Sequence, residues 1–349
     1  MPTARVAGAG VAGATVALKL ARAGWQVHVY DAGGERCATQ AGGMLAPLAE
    51  LDHGEVEITA AGLDAPERWS ELLPNSPHQR GGGSLLVALR PELPLLRDLH
   101  QRIVRAGASA RCVLLDRATL RELEPALSDR FGSGLHLPGE GTLDPIPTLH
   151  ALHAAIAAAG GQIHSQRVTE VAAGRLRLAG EASWQQADLL VDARGLGARP
   201  DLPLRGVRGE FVEVLCPGVT LGRAVRLLHP RHPLYVVPRG GARYYIGATS
   251  IESEDPSPPT VQSLLELLSA LHALSPSFAD ATIIRHGVGR RPALAHNLPC
   301  VAHEPGLIRI NGLFRHGWLL GPILADAATA LATGGAPPAA STPFLQPIS

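Results

Sequence analysis

A chain of 349 residues, 46% hydrophobic and 18% charged, is long enough to bury a large core and is expected to divide into two domains. Its 31 basic and 31 acidic residues give a net charge of +0, so it carries no electrostatic footprint for nucleic acid or an anionic membrane. Cys37, Cys112, Cys216 and Cys300 form no CxxC pair, which argues against a zinc site or a disulfide framework and fits a reducing cytoplasm.

Residues 6–18 are apolar, but their glycines and the following Lys19 make a poor leader core, and no cleaved signal is expected. No uninterrupted apolar run of about 18 residues occurs, so no membrane span is expected. Residues 5–9 predict a short buried strand, 11–22 a helix ended by Gly24, and 26–30 a second strand. The turn Gly8-Ala9-Gly10-Val11-Ala12-Gly13 of this βαβ unit fits GxGxxG. One glycine makes the tight turn, one admits a phosphate, and one lets helix and strand pack. Asp31, about 20 residues on, can accept hydrogen bonds from an adenosine ribose.

Residues 36–47, with Gly42-Gly43-Met44, read as a glycine-bearing loop, either a plain connector or a place where backbone amides meet phosphate or ring oxygens. Gly81-Gly82-Gly83 introduces a strand at 84–89, and 91–106 sets Leu93, Leu96, Leu99 and Ile103 at helical spacing, as core. Asp116 caps a short helix, and Asp144-Pro145 starts a longer one that stops at Gly160-Gly161. Short strands through Val168 and Leu176 lead to 187–197, where an apolar strand enters a glycine turn and returns to the nucleotide-binding sheet.

Strands at 210–215, 224–228, 234–238 and 244–248, separated by Pro and Gly, predict an antiparallel sheet. A helix over 258–274 follows, and strands at 282–286 and 307–311 bracket Arg290-Arg291-Pro292. Residues 312–322 form a loop that runs into the helical pattern of 323–333. Two helix N-termini are then available to one anionic cofactor, the first for a pyrophosphate and the last for a redox ring. The closing residues contain Gly-Gly and Pro-Pro and predict a loose tail.

With these features, residues 41–47, Val207-Arg208-Gly209-Glu210, 227–239 and 246–253 resemble the FAD-dependent amino-acid oxidases, and within them the glycine oxidases of thiamine biosynthesis. The resemblance extends over residues 6–333. It implies an α/β fold in which a Rossmann-like FAD-binding domain (1–80, 143–206, 288–335) is interleaved with an α+β, antiparallel-sheet substrate domain (81–142, 207–287), leaving 336–349 as a flexible tail. Non-covalent FAD is the implied cofactor. Its expected contacts are Gly8, Gly10, Val11, Ala12, Gly13 and Asp31, then Gly42, Gly43, Met44 and Val168, and finally Arg315, His316, Gly317, Trp318 and Leu319. No cysteine stands beside Arg315 to form a covalent link.

The resemblance also implies oxidation of an amine next to a carboxylate, with O2 as acceptor. Arg291 matches the family's carboxylate clamp and Tyr245 the residue that assists it, while Arg290 replaces a family leucine. A planar guanidinium offers paired donors and a tyrosine hydroxyl adds a third. Hydride transfer needs orientation and an unprotonated amine, so the lack of a Ser-His-Asp set is no objection. The implied reaction turns glycine into iminoacetate and then glyoxylate and ammonia, with hydrogen peroxide as the second product, and feeds thiazole synthesis. Alternatives are a flavin oxidase or dehydrogenase acting on sarcosine, proline or D-amino acids, and a nucleotide-binding module without redox chemistry. Glycine and O2 are the expected partners; nucleic acid and membrane are not, and a homo-oligomer is compatible. His229, His286 and His316 match no metal spacing, and no metal is expected. Trp69 and Trp318 either line a pocket or pack.

Overall fold

The computed structural model describes residues 1–348 other than Glu35, Pro200, Arg231 and His232. Arg231 and His232, inside the motif block 227–239, therefore lie outside the described residues, as does Ser349.

The chain opens with strand Thr3–Ala7, helix Val11–Arg22 and strand Gln26–Tyr30. The two strands pair in parallel with Val6 opposite Val29, and Leu189–Asp192 adds to the other side with Val191 opposite Val6. The apolar segment before the second glycine turn thus returns to the first sheet. Leu307–Asn311 continues the parallel order, Gln162–His164 closes the far edge, and Cys300–Glu304 joins antiparallel. Helices Val11–Arg22, Pro145–Ala158 and Gly317–Thr333 share one hydrophobic core with this sheet. Contact between the first and last helix is close because Gly321 has no side chain: a Cβ there would come 3.2 Å from a Val11 methyl.

An eight-stranded sheet carries the other end of the cavity. Its long strands Arg205–Leu215 and Thr282–Ala293 pair antiparallel over their full lengths. The sheet is not purely antiparallel: Ala224–Leu228 runs parallel to Ser84–Ala88. Helix Val261–Leu274 covers it, its first turn capped by the Thr260 hydroxyl.

Three expectations differ from this architecture. Arg290 and Arg291 stand on the second half of a single twelve-residue strand, not between two strands. The expected domain limits at 206/207 and 287/288 fall inside the paired strands Arg205–Leu215 and Thr282–Ala293. The end of the chain is not loose: Leu345–Pro347 pairs parallel with Cys300–Glu304, and Phe344 is buried in the first core. Burial of one aromatic side chain outweighs the Gly and Pro composition that suggested disorder. Among the described residues, no helix is long and apolar enough to cross a membrane.

Candidate active site

A cavity of about 680 Å³ opens where the two sheets meet. Of the residues expected at the cofactor and substrate, all but Gly13 line it. Gly8 adopts φ +102°, and a Cβ on it would meet the Ala193 carbonyl at 2.5 Å. Gly13 packs the helix onto that turn, since a Cβ there would fall 1.9 Å from the Gly8 oxygen. Gly10 differs: nothing lies within 4 Å of its ideal Cβ position. It is the N-cap of the first helix and offers no side-chain cap, and the first turn holds no acidic residue, so the leading N–H groups stay available. Asp31 lines the same end and accepts from the Gly33 amide at 2.7 Å and from Arg36 Nε at 2.9 Å.

The opposite wall contains the second helix start. Gly312 and Phe314 take φ of +70° and +47°, and the Phe314 amide donates to the Pro292 carbonyl at 2.9 Å, tying this loop to the strand that bears Arg291. Helix Gly317–Thr333 begins at once, with His316 as an N-cap that makes no capping bond. The helix therefore starts six residues before the predicted apolar run. Trp318 both lines the cavity and donates Nε1–H to the Ala38 carbonyl at 2.9 Å; Trp69 packs, with its Nε1–H on the Trp318 carbonyl at 2.7 Å.

Arg315 lines the cavity, but its guanidinium is held 2.9 Å from Glu50 and 3.0 Å from Glu55, so it is not a free cation beside a ring. Arg226 adds a contact to Glu50 at 3.1 Å, and His316 Nε2 lies 2.9 Å from Glu55. Burial alone would raise the Glu50 carboxyl, yet Arg226, Arg315 and His316 outweigh it and hold it well below the usual range. Burial would likewise lower His316, but Glu50 and Glu55 raise it above an ordinary imidazole. Glu50, Glu55 and His316 cluster like metal ligands, although the guanidinium of Arg315 already bridges the carboxylates. His316 Nδ1 is buried and has no hydrogen-bond partner among the described residues.

At the substrate end, Tyr244 and Tyr245 alternate across their strand. Tyr244 turns into the core between the eight-stranded sheet and helix Val261–Leu274 and donates to the Val219 carbonyl, while Tyr245 faces the cavity between Phe211 and Tyr235, with ring centroids 4.9 and 6.0 Å away. The Tyr245 hydroxyl donates to the Gln40 carbonyl at 2.7 Å. Its proton is thus committed to the loop before Gly42, where the sequence suggested a third donor for a carboxylate. Burial first, then Tyr235, keeps this hydroxyl protonated well above the usual phenol range. Arg291 lies over Gly209 and donates to the Thr249 carbonyl at 3.1 Å; among the described residues it has no carboxylate partner.

Sequence reasoning missed Gln40, Glu50, Glu55, Tyr235 and Arg226. Tyr235 was within reach: it sits two positions from Val237, which pairs with Tyr245, so both tyrosines share a face. The acidic pair had no such signal, because its cations come from residues 226 and 315.

Two uncapped helix N-termini, a glycine turn open at Gly10, a carboxylate at the same end and, at the other, an Arg291 with no carboxylate partner among the described residues fit a flavin-dependent oxidoreductase site. The donor set fits an elongated dianionic dinucleotide. Residues 5–331 match the family of FAD dependent oxidoreductases, abbreviated DAO, and the chain belongs to that family, with FAD as its cofactor. A Rhizobium etli protein with the provisional name thiamine biosynthesis oxidoreductase ThiO is 41% identical over 324 residues, covering 92% of this chain and 93% of that one. The glycine oxidase of Geobacillus kaustophilus is 26% identical over 343 residues, covering 91% and 89%. The crystal structure of glycine oxidase from that organism superposes with a TM-score of 0.87 at 24% identity, covering 100% of this chain and 99% of that one, which is a likeness of fold.

Proposed function

We propose that the protein oxidises glycine to iminoacetate, which water converts to glyoxylate and ammonia, and that the imine supplies the thiazole branch of thiamine biosynthesis. The observation that carries the reading is the guanidinium of Arg291, which has no carboxylate partner among the described residues, in the same cavity as the two uncapped helix starts. Similarity to the thiamine biosynthesis oxidoreductase and to glycine oxidases supports the substrate.

When bound, FAD supplies a two-electron acceptor that passes the electrons to O2, giving hydrogen peroxide. Arg291 receives the substrate carboxylate through paired N–H donors, held in place by the Thr249 carbonyl and by the flat surface of Gly209. The Tyr235 and Tyr245 rings line this end, with Phe211 stacked behind Tyr245, and favour a substrate with little or no side chain. Anchoring one end fixes the Cα–H, and the amine reacts unprotonated, so no side-chain base is required. The reading extends to a cytoplasmic location, supported by cysteines spaced without a CxxC pair or a disulfide framework.

Peroxide release measured with glycine, sarcosine, D-alanine and D-proline tests the substrate. Glycine is expected to be turned over with the highest kcat/KM. A best rate on D-proline, or turnover only with a quinone-type acceptor, would contradict the reading.

A further inference from the structure

Arg239, on strand Leu234–Gly240, is 6% exposed and lies behind the cavity wall. Among the described residues no carboxylate pairs with it. Its Nη1 donates to the Leu143 carbonyl at 2.6 Å, and its Nη2 to the carbonyls of Gly42 at 2.9 Å and Ala41 at 3.2 Å. The guanidinium also stands 5.3 Å from the centre of the Tyr245 ring. Burying a cation with no carboxylate in direct contact among the described residues is costly, and an apolar residue of similar size would fill this space at lower cost. What the guanidinium supplies here is donors for backbone carbonyls.

Three successive carbonyls are drawn the same way: Gln40 by the Tyr245 hydroxyl, and Ala41 and Gly42 by Arg239. In a planar trans peptide the N–H of the next residue points opposite to the C=O. The amides of Ala41, Gly42 and Gly43 are therefore turned away from Arg239, and among the described residues none has an acceptor. All three residues line the cavity. Gly43 at φ +64° and the Leu143 amide on its carbonyl at 2.8 Å fix the end of the run. Consecutive N–H groups facing one space form a concave donor set for an electron-rich edge.

We propose that Arg239 is a positioning residue that turns the loop carbonyls outward and presents the Ala41, Gly42 and Gly43 amides to the ring of bound FAD. The inference rests on FAD occupying this cavity and not on glycine being the substrate. Donors at a flavin's polar edge hold the cofactor and favour the added electrons, so both affinity and potential depend on Arg239 without its touching the ring.

The test compares FAD binding to apoprotein, by quenching of flavin fluorescence, with the visible spectrum and midpoint potential of the reconstituted protein. Arg239→Met keeps the volume and removes the donors; it is expected to bind FAD about tenfold or more weakly, with a shifted spectrum and a lower potential. Arg239→Lys keeps the charge but not the fork, and is expected to restore less than half of the lost affinity on a logarithmic scale. A role confined to folding would lower the apoprotein melting temperature and leave spectrum and potential unchanged, and that result overturns the proposal. If the methionine variant fails to fold, the lysine variant carries the test: wild-type affinity and spectrum overturn the proposal, and a weakened, shifted flavin supports it. Wild-type protein that takes up no FAD would instead overturn the cofactor assignment, and none of these readouts involves glycine turnover.

Discussion

Arg291 lies across Gly209 so closely that a Cβ on the glycine would sit 2.1 Å from its Nη2. The strands pair here with Arg291 opposite Val207 and Gly289 opposite Gly209, so the guanidinium reaches diagonally over the neighbouring strand. Gly209→Ala is therefore expected to push the guanidinium off its seat and raise KM for glycine about tenfold, with FAD still bound. Arg291→Ala is expected to weaken substrate binding by on the order of 2 to 4 kcal/mol, as for loss of a paired charge contact. Steady-state kinetics on both variants checks this; an unchanged KM would remove Arg291 from the substrate site.

Glu50 is the shared anion of Arg226, Arg315 and His316. Its pKa is depressed on folding, so its contribution is present above the ordinary carboxylate range and lost as pH falls through the lower folded value. Glu50→Gln is expected to destabilise the protein at pH 7 by on the order of 3 to 5 kcal/mol, since the buried cations lose their partner. His316 has the opposite sign: its raised pKa contributes below about 6.5 and the contribution fades as pH climbs past the folded value. Urea unfolding from pH 5 to 9 is expected to show His316→Gln destabilised most at the acid end.

Burial raises Glu140 to about 7, although the Ser84 hydroxyl and the Leu48 and Ala49 amides all donate to it. The folded state binds this proton more tightly than the unfolded one, so stability falls as pH rises from about 4.5 to 7 and is then level. Glu140→Gln keeps an acceptor for the amides and is expected to remove that slope. At pH 8 it is expected to be more stable than wild type by up to about 3 kcal/mol in denaturant titration.

Phe344 is 2% exposed and seats the last strand on the first core. Phe344→Ala is expected to lower stability by about 3 kcal/mol, seen as a lower melting temperature. A tail that did nothing would leave the melt unchanged.

The features legible in sequence were those written in consecutive residues. Gly8, Gly10 and Gly13 sit on one turn, and their separate tasks follow from φ and close approach. The alternation of Tyr244 and Tyr245 likewise separates an inward ring from a cavity ring. What depends on distant partners was not legible. Glu50 meets residues 226, 315 and 316, and Arg239 meets 41, 42 and 143, with no periodicity to announce either cluster. The acceptor of the Tyr245 hydroxyl, the carbonyl of Gln40, was not legible for the same reason. Composition misled only at the tail, where Phe344 is set among prolines.

The most direct measurement is the visible spectrum of the FAD-loaded protein mixed with glycine in the absence of oxygen. The yellow band is expected to bleach with glycine and return when air is admitted, with peroxide formed. A band that glycine leaves intact while D-proline or sarcosine bleaches it would contradict the assignment of glycine as substrate.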